Sequence, residues 1–292
     1  MNRISFSRIT HISFLVLFFP LGALLTAQES PHNRMAVQDQ HLWQTNLGLD
    51  FSILPIINGA PQAFLSTSPS VDVIFQNRWA LGLSLPVYYR LPLTTADMLP
   101  FRCAPGDLSL NGAWIFHSNR SQHRLTIAWT LPTGIPEDKA NELGAITTGG
   151  LLQHLSLAWQ YTRYTDPVSL NLGMSLASTI PTVRSGEPYW EPLDIGCTTG
   201  ATLLMNRWVA LDFSLAQRLA LPPRSGNDWL SPFISYSAKL QGSLWYTTQN
   251  HSFALDLSHD MAEPTEGLGI SFRYVYSIKP KAPATSSSLP RP

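Results

Sequence analysis

From Trp43 onward the chain repeats with a period of two. In Trp79-Ala-Leu81-Gly-Leu83-Ser-Leu85-Pro-Val87-Tyr-Tyr89 a bulky apolar residue occupies every second position, with mostly small residues between. This is the signature of a strand with two unlike faces. The rhythm recurs from Leu47 to Ile53, Val71 to Phe75, Leu108 to Phe116, Leu125 to Leu131, Leu155 to Tyr161 and Leu170 to Leu176. It continues from Ile195 to Met205, Val209 to Leu215, Tyr236 to Tyr246, Phe253 to Leu257 and Leu268 to Tyr276. The pattern predicts about twelve strands with no amphipathic helix between them.

The alternate positions are unusual. They carry Asn46, Gly48, Ser52, Ser109, Asn111, Thr126, Gln160, Asn171, Ser175, Ser214, Gln241, Ser258 and Ser271, a small, Ser- and Gly-rich set with thin charge. The polar face of a water-soluble sandwich is rich in Lys, Glu and Thr. An inverted arrangement, apolar outside and polar inside, fits this chain better and predicts an all-β fold: a transmembrane antiparallel β-barrel.

Connection lengths give a second line of argument. Outer-membrane barrels have short periplasmic turns, longer extracellular loops and an even strand count. Short connections are expected around Asn77-Arg78, Ser118 to His123, Thr165 to Pro167, Asn206-Arg207 and Thr248 to His251. Longer ones are expected around Pro55 to Pro69, Pro92 to Gly106, Gly134 to Gly150, Pro181 to Pro192, Pro222 to Ser231 and Asp260 to Gly267. They alternate in register, beginning and ending with long, as two periplasmic termini require. Trp43, Phe75, Trp79, Phe116, Tyr161, Tyr164, Trp208, Tyr246 and Tyr276 lie beside the short turns or the chain ends, where a membrane interface favours aromatic rings. Asn77-Arg78-Trp79 and Asn206-Arg207-Trp208 repeat at two hairpins and suggest a reused turn with an interface anchor.

Composition agrees with this picture. Only 13% of the 292 residues are charged while 44% are hydrophobic, and 19 basic residues offset 19 acidic ones. The balance excludes a disordered chain and gives no basic footprint for nucleic acid. Met1 to Ala27 reads as a secretory signal peptide: Arg3 and Arg8 precede an apolar stretch from Ile12 to Leu25, and Leu25-Thr26-Ala27 supplies a cleavage site. Residues 28–41 form a short periplasmic segment, too brief for a plug domain. The barrel is expected over 42–278, with a Pro/Ser-rich disordered tail over 279–292. The last strand, Gly269-Ile-Ser-Phe272-Arg-Tyr274-Val-Tyr276, resembles the terminal signal through which barrels engage the assembly machinery.

One region resembles a known family. Gly106-Asp107-Leu108 opens a strand, Leu131-Pro132-Thr133-Gly134 closes the next, and Gly144 and Gly149-Gly150 precede another. Over roughly Pro105 to Met205 this is similar to the outer-membrane family labelled for the meta-pathway of phenol degradation. The resemblance implies a barrel channel for small, often aromatic or apolar compounds.

Candidate chemistry is sparse. His117-Ser118-Asn119 has the residue types of a membrane acyl hydrolase but lacks a Gly-flanked nucleophile, so a polar hairpin turn is the better reading. Glu137-Asp138-Lys139 with Glu142 reads as a solvated connection, and the scattered His residues offer no metal-ligand spacing. Cys103 and Cys197 fall on strands too far apart in the order to favour a disulfide. No catalytic residue, metal or cofactor is expected. The residues of interest are the charges on the polar face, Asp50, Asp72, Asp212, Lys239, Asp256 and Arg273. They either line an open lumen and bias which solutes pass, or pair with one another to fill a closed interior. The reading is an outer-membrane, porin-like channel for passive uptake of small molecules, with membrane lipid, solute and the barrel-assembly machinery as partners. The alternative is a structural or adhesive barrel with a closed lumen and partner-binding surface loops.

Overall fold

The computed structural model describes residues 43–56, 62–92, 103–118, 120–135, 152–184, 187–191, 193–231, 233–261 and 268–279. The expected signal peptide, the segment 28–41, the connection holding Glu137, Asp138, Lys139 and Glu142, and all of the tail but Lys279 lie outside the described residues. In chain order the strands are β1 (Trp43–Ile56), β2 (Gln62–Phe75), β3 (Trp79–Ser84), β4 (Val87–Pro92), β5 (Cys103–Pro105), β6 (Leu108–Ser118), β7 (Ser121–Leu131), β8 (His154–Tyr164) and β9 (Val168–Thr179). They continue with β10 (Thr182–Arg184), β11 (Glu187–Trp190), β12 (Asp194–Leu204), β13 (Val209–Ala220), β14 (Arg224–Ser225), β15 (Asp228–Trp229), β16 (Ser235–Thr247), β17 (His251–Asp260) and β18 (Gly269–Ile278).

Twelve of these close a ring. Each antiparallel hairpin pairs with the next, from β1 through β2, β3, β6, β7, β8, β9, β12, β13, β16, β17 and β18, and β18 returns to β1. The closing ladder runs from Thr45 opposite Ile278 to Ile53 opposite Ile270. Two ring strands are interrupted at one level. β4 continues β3 beyond Leu85-Pro86, and β5 precedes β6 across Gly106-Asp107. Pro86 and Pro105 have no amide hydrogen to donate, and the gap is bridged from Gly106 N to the Pro86 carbonyl at 2.7 Å.

The faces are inverted. Along β1, Leu47, Leu49, Phe51 and Ile53 are exposed, whereas Asn46 is buried. Along β17, Leu255 and Leu257 are exposed while Ser252, Ala254 and Asp256 are buried. A strand alternates faces with period two, so the barrel wears its large apolar side chains outside and its small polar ones inside. That exterior is the one a β-barrel presents to hydrocarbon. Among the described residues no helix is long and apolar enough to cross a membrane.

The ends differ. Residues 76–78, 165–167, 205–208 and 248–250 make tight turns at the end that also holds Trp43 and Ile278. At the opposite end the connections have structure of their own: β10, β11, β14 and β15, from 180–193 and 221–234, pair as a separate four-stranded sheet. Its centre is Arg224, whose Cζ lies 4.6 Å from the Trp229 ring and 5.3 Å from that of Trp190. The expected long connection from Pro55 to Pro69 is corrected. β1 runs to Ile56 and β2 begins at Gln62, in continuous register from Ile56 opposite Gln62. Ser66, Thr67, Ser68 and Pro69 lack the apolar alternation, but pairing with β1 throughout, with β4 at Ser66 and Thr67, and from Leu85 N to the Pro69 carbonyl holds them in the sheet.

Aromatic side chains gather at the short-turn end, with Trp79 stacked on Trp114 at 5.0 Å and Trp114 against Phe116 at 4.3 Å. His123 and His251 join them, each 5.0 Å from a tyrosine, Tyr161 and Tyr276. Tyr164 does not belong to this girdle. It falls on the inward positions of β8, and its hydroxyl donates to Gln122 Oε1 at 2.5 Å. The repeated Asn-Arg-Trp is likewise not a reused turn. Gln76 and Asn77 take positive φ, 50° and 52°, whereas Asn206 accepts at its Oδ1 from the amides of Trp208 and Val209. A left-handed conformation costs a non-glycine residue about 1–2 kcal/mol. Gln76→Gly is therefore expected to stabilise the barrel by about 0.5–1 kcal/mol and Gln76→Val to destabilise it, as read from urea unfolding midpoints in lipid vesicles.

Candidate functional site: the barrel lumen

The closed register decides which inward side chains meet. Arg273 on β18 faces Asp50 on β1 and lies beside β17. Its Nε donates to Asp50 Oδ1 at 2.7 Å and its Nη2 to Asp256 Oδ2 at 3.3 Å, where the Ser271 hydroxyl also donates at 3.3 Å. One cation thus bridges carboxylates from both flanking strands. The two acids differ in access: the Asp50 side chain is 44% exposed and that of Asp256 only 3%.

Asp212 anchors a second array. Its Oδ1 accepts from Thr202 at 2.6 Å, Thr202 accepts from Asn171 Nδ2 at 3.0 Å, and Asn171 Oδ1 accepts from Thr162 at 3.0 Å. This line of hydroxyl and amide groups crosses β8, β9, β12 and β13. It holds Asp212 at 4% exposure, a burial that a carboxylate tolerates only when hydrogen-bonded. Asp72, also buried, sits across Gly82 from Asn111, and a Cβ at position 82 would collide with both side chains. Lys239 stands apart. It faces Ala216 and Asp260 near the long-connection rim, and its side chain is exposed.

The structure therefore joins Asp50, Asp256 and Arg273, places Asp212 on a separate ladder, and leaves Asp72 and Lys239 at other points of the inner wall. It adds inward charges that the pattern analysis did not single out. Arg124 lies on the inward row of β7, and Arg218 pairs with Asp194 across β12 and β13. Trp245 is a further addition. It shares the inward parity of Ser243 and Thr247, and that parity was its signal. Ala210 and Ala254 face it directly from the neighbouring strands, the three form one buried cluster, and Arg273 Cζ lies 5.4 Å from its ring.

Burial grades along the axis. Toward the short turns, inward side chains are buried on all twelve ring strands, from Asn46, Ile74 and Ala80 through Ile115, Gln122, Thr162, Ser169, Thr202 and Ala210 to Trp245, Ser252 and Ser277. Ile74, Ala80, Ala113 and Ile115 there form an apolar cluster on β2, β3 and β6. Toward the long connections the inward side chains are more accessible, with Ser52, Ser66, Gln160, Thr198, Ser214 and Ser271 half-buried.

At that end the two glycine-containing motifs meet. Thr133 Oγ1 accepts from Leu108 N at 2.9 Å and donates to the Gly106 carbonyl at 2.9 Å, while Asp107 Oδ1 accepts from Gly134 N at 2.9 Å. Gly106-Asp107-Leu108 and Leu131-Pro132-Thr133-Gly134 are thus the two halves of one clasp. It ties the top of β7 to the wall interruption beside Pro86. The remaining candidates are structural. His117 Nε2 is 3.0 Å from the Asn77 carbonyl in an exposed turn, Cys103 and Cys197 are both free thiols, one exposed and one buried, and no group of three or more metal-ligating side chains occurs among the described residues.

No family model matches this chain, and no curated protein matches it either. Solved structures do. The barrel superimposes on the crystal structure of the COG4313 outer membrane channel from Pseudomonas putida F1 with a TM-score of 0.65, covering 88% of this chain and 100% of that chain at 14% identity. The NanC porin gives a TM-score of 0.51, covering 80% of this chain and 99% of that chain at 8% identity. The fold is that of known outer-membrane barrels.

The clasp is testable. Thr133→Val removes one acceptor and one donor, and because the site is accessible to water the cost is expected to be about 0.5–1.5 kcal/mol. Thr133→Ser should restore most of it, in the same vesicle unfolding assay.

Proposed function

We propose that this chain is a passive channel of the bacterial outer membrane, with the short turns toward the periplasm and the structured connections outside the cell. The observation that carries this reading is a closed barrel whose exterior is apolar and whose interior is lined by Ser, Thr, Asn, Gly and a few paired charges. A barrel of this strand number is wide enough for an interior path when its inward residues are small. The alternating turn lengths, the signal peptide expected over 1–27 and the Gly269 to Tyr276 strand for assembly belong to the same reading. So does the resemblance to the phenol-degradation family, now with a physical role for its motifs in the clasp. Small, weakly polar or aromatic solutes are the class this supports, with no enzymatic step.

Inside the lumen Asp50, Asp72, Asp194, Asp212, Asp256 and Asp260 face Arg124, Arg218, Lys239 and Arg273. Among these described side chains the carboxylates are in excess, which favours cations over anions. The second reading, a closed structural or adhesive barrel, has one observation in its favour: the burial of inward side chains toward the short-turn end.

Two measurements separate them. Proteoliposomes holding the refolded chain should swell in small uncharged solutes and stop swelling above a size limit; failure to swell with any solute favours the closed barrel. In asymmetric salt the reversal potential should show a modest cation preference. Asp50→Asn, which removes a solvent-exposed carboxylate and leaves Arg273, should shift it toward anions.

A further inference from the structure

Trp245 is out of character with its surroundings. Its two direct neighbours are small: Ala210 faces it on one side and Ala254 on the other, with Leu204 beyond the first and Arg273 beyond the second. An indole lying flat on the wall of an open pore would show one face to solvent. This one is 1% exposed, the largest fully buried side chain described. Arg273, itself held by Asp50 and Asp256, lies over its ring. The packing is incomplete in hydrogen bonding, however. Trp245 Nε1 and Asp256 Oδ1 are both buried with no partner, an arrangement that native structures rarely tolerate without a functional reason.

We propose that Trp245 is the constricting side chain of the lumen, latched by Arg273, and that it swings aside to open the path. Resting on the channel reading above, this names the residue that sets the size limit. The closed position leaves a donor and an acceptor without partners. Moving the ring out of its packed position lets water reach the indole N–H and the Asp256 carboxylate together. The two unmet groups keep the closed state from being deeply favoured, while the alanines on either side supply the recess to which the ring returns. Arg273 acts as a positioning residue: its guanidinium is fixed by carboxylates from two strands, so the ring meets a rigid partner.

The test is single-channel recording of the refolded full-length chain in planar bilayers, beside Trp245→Ala and Trp245→Phe, each first shown by heat-modifiable gel migration to be folded. Trp245→Ala should raise unit conductance by about twofold or more by widening the constriction. Trp245→Phe keeps a ring and deletes the orphaned donor. It should lower the open-to-closed ratio by about fivefold or more, the effect of relieving one buried unpaired group. If the native chain conducts and both variants match it in conductance and open probability, Trp245 is wall filling and the proposal is overturned while the channel reading stands. If no folded chain conducts, Trp245→Ala included, both fall.

Discussion

The barrel of this protein follows from one constraint: main-chain N–H and C=O groups inside hydrocarbon have no water to bond to, so the strands must pair on both sides. A sheet with free edges cannot meet it. Twelve hairpin-linked strands do so by joining β18 to β1, and closure in turn fixes the register all the way round. Register then decides which face of each strand sees lipid. A shift of one residue anywhere would turn Leu, Phe and Ile inward and Ser, Asn and Asp outward.

The interior chemistry is a product of that closure. Asp50 and Arg273 are separated by 223 residues in the chain and meet because the first and last ring strands are neighbours. The same holds, over shorter separations, for the Thr162 to Asp212 ladder. Buried charges and amides inside a low-dielectric shell are stable only as satisfied groups, and most of the inner wall complies. The exceptions, Trp245 Nε1 and Asp256 Oδ1, belong to two residues that both adjoin Arg273. Ala210 and Ala254 flank the indole from the neighbouring strands. The Arg273 cluster ties the ring together, joining β1, β17 and β18 through Asp50 and Asp256.

Much of this was legible in the sequence, because period-two alternation and turn length are local signals. The inverted faces, the twelve-strand ring and the alternation of short and long connections could all be read from patterns like Trp79 to Tyr89. The inward placement of Asp50, Asp212, Asp256 and Arg273 followed from parity alone. Their partners did not, since pairing between β1 and β18 is set by closure and not by spacing. The four-stranded sheet of β10, β11, β14 and β15 was hidden for a related reason. Its strands are two to four residues long, too short for periodicity, and Pro188, Pro222 and Pro223 read as breakers. Tyr164 was placed at the interface because aromatic residues in barrels invite that reading, and Trp245 was not singled out; parity, which turns both inward, is the stronger guide. The clasp motifs were visible, yet their meaning emerged only once β6 and β7 stood side by side.

The central claim, that the apolar face meets lipid and the small polar face encloses the lumen, is tested most directly by nitroxide scanning along β17 in lipid vesicles, in a background without the two native cysteines. Labels at Phe253, Leu255 and Leu257 should show high collision with dissolved oxygen and low collision with a water-soluble nickel chelate. Labels at Ser252, Ala254, Asp256 and Ser258 should show the reverse phase or restricted access to both, giving a period of two. Water access at the Phe253, Leu255 and Leu257 positions, or no alternation, would contradict the inverted barrel and with it every interior assignment.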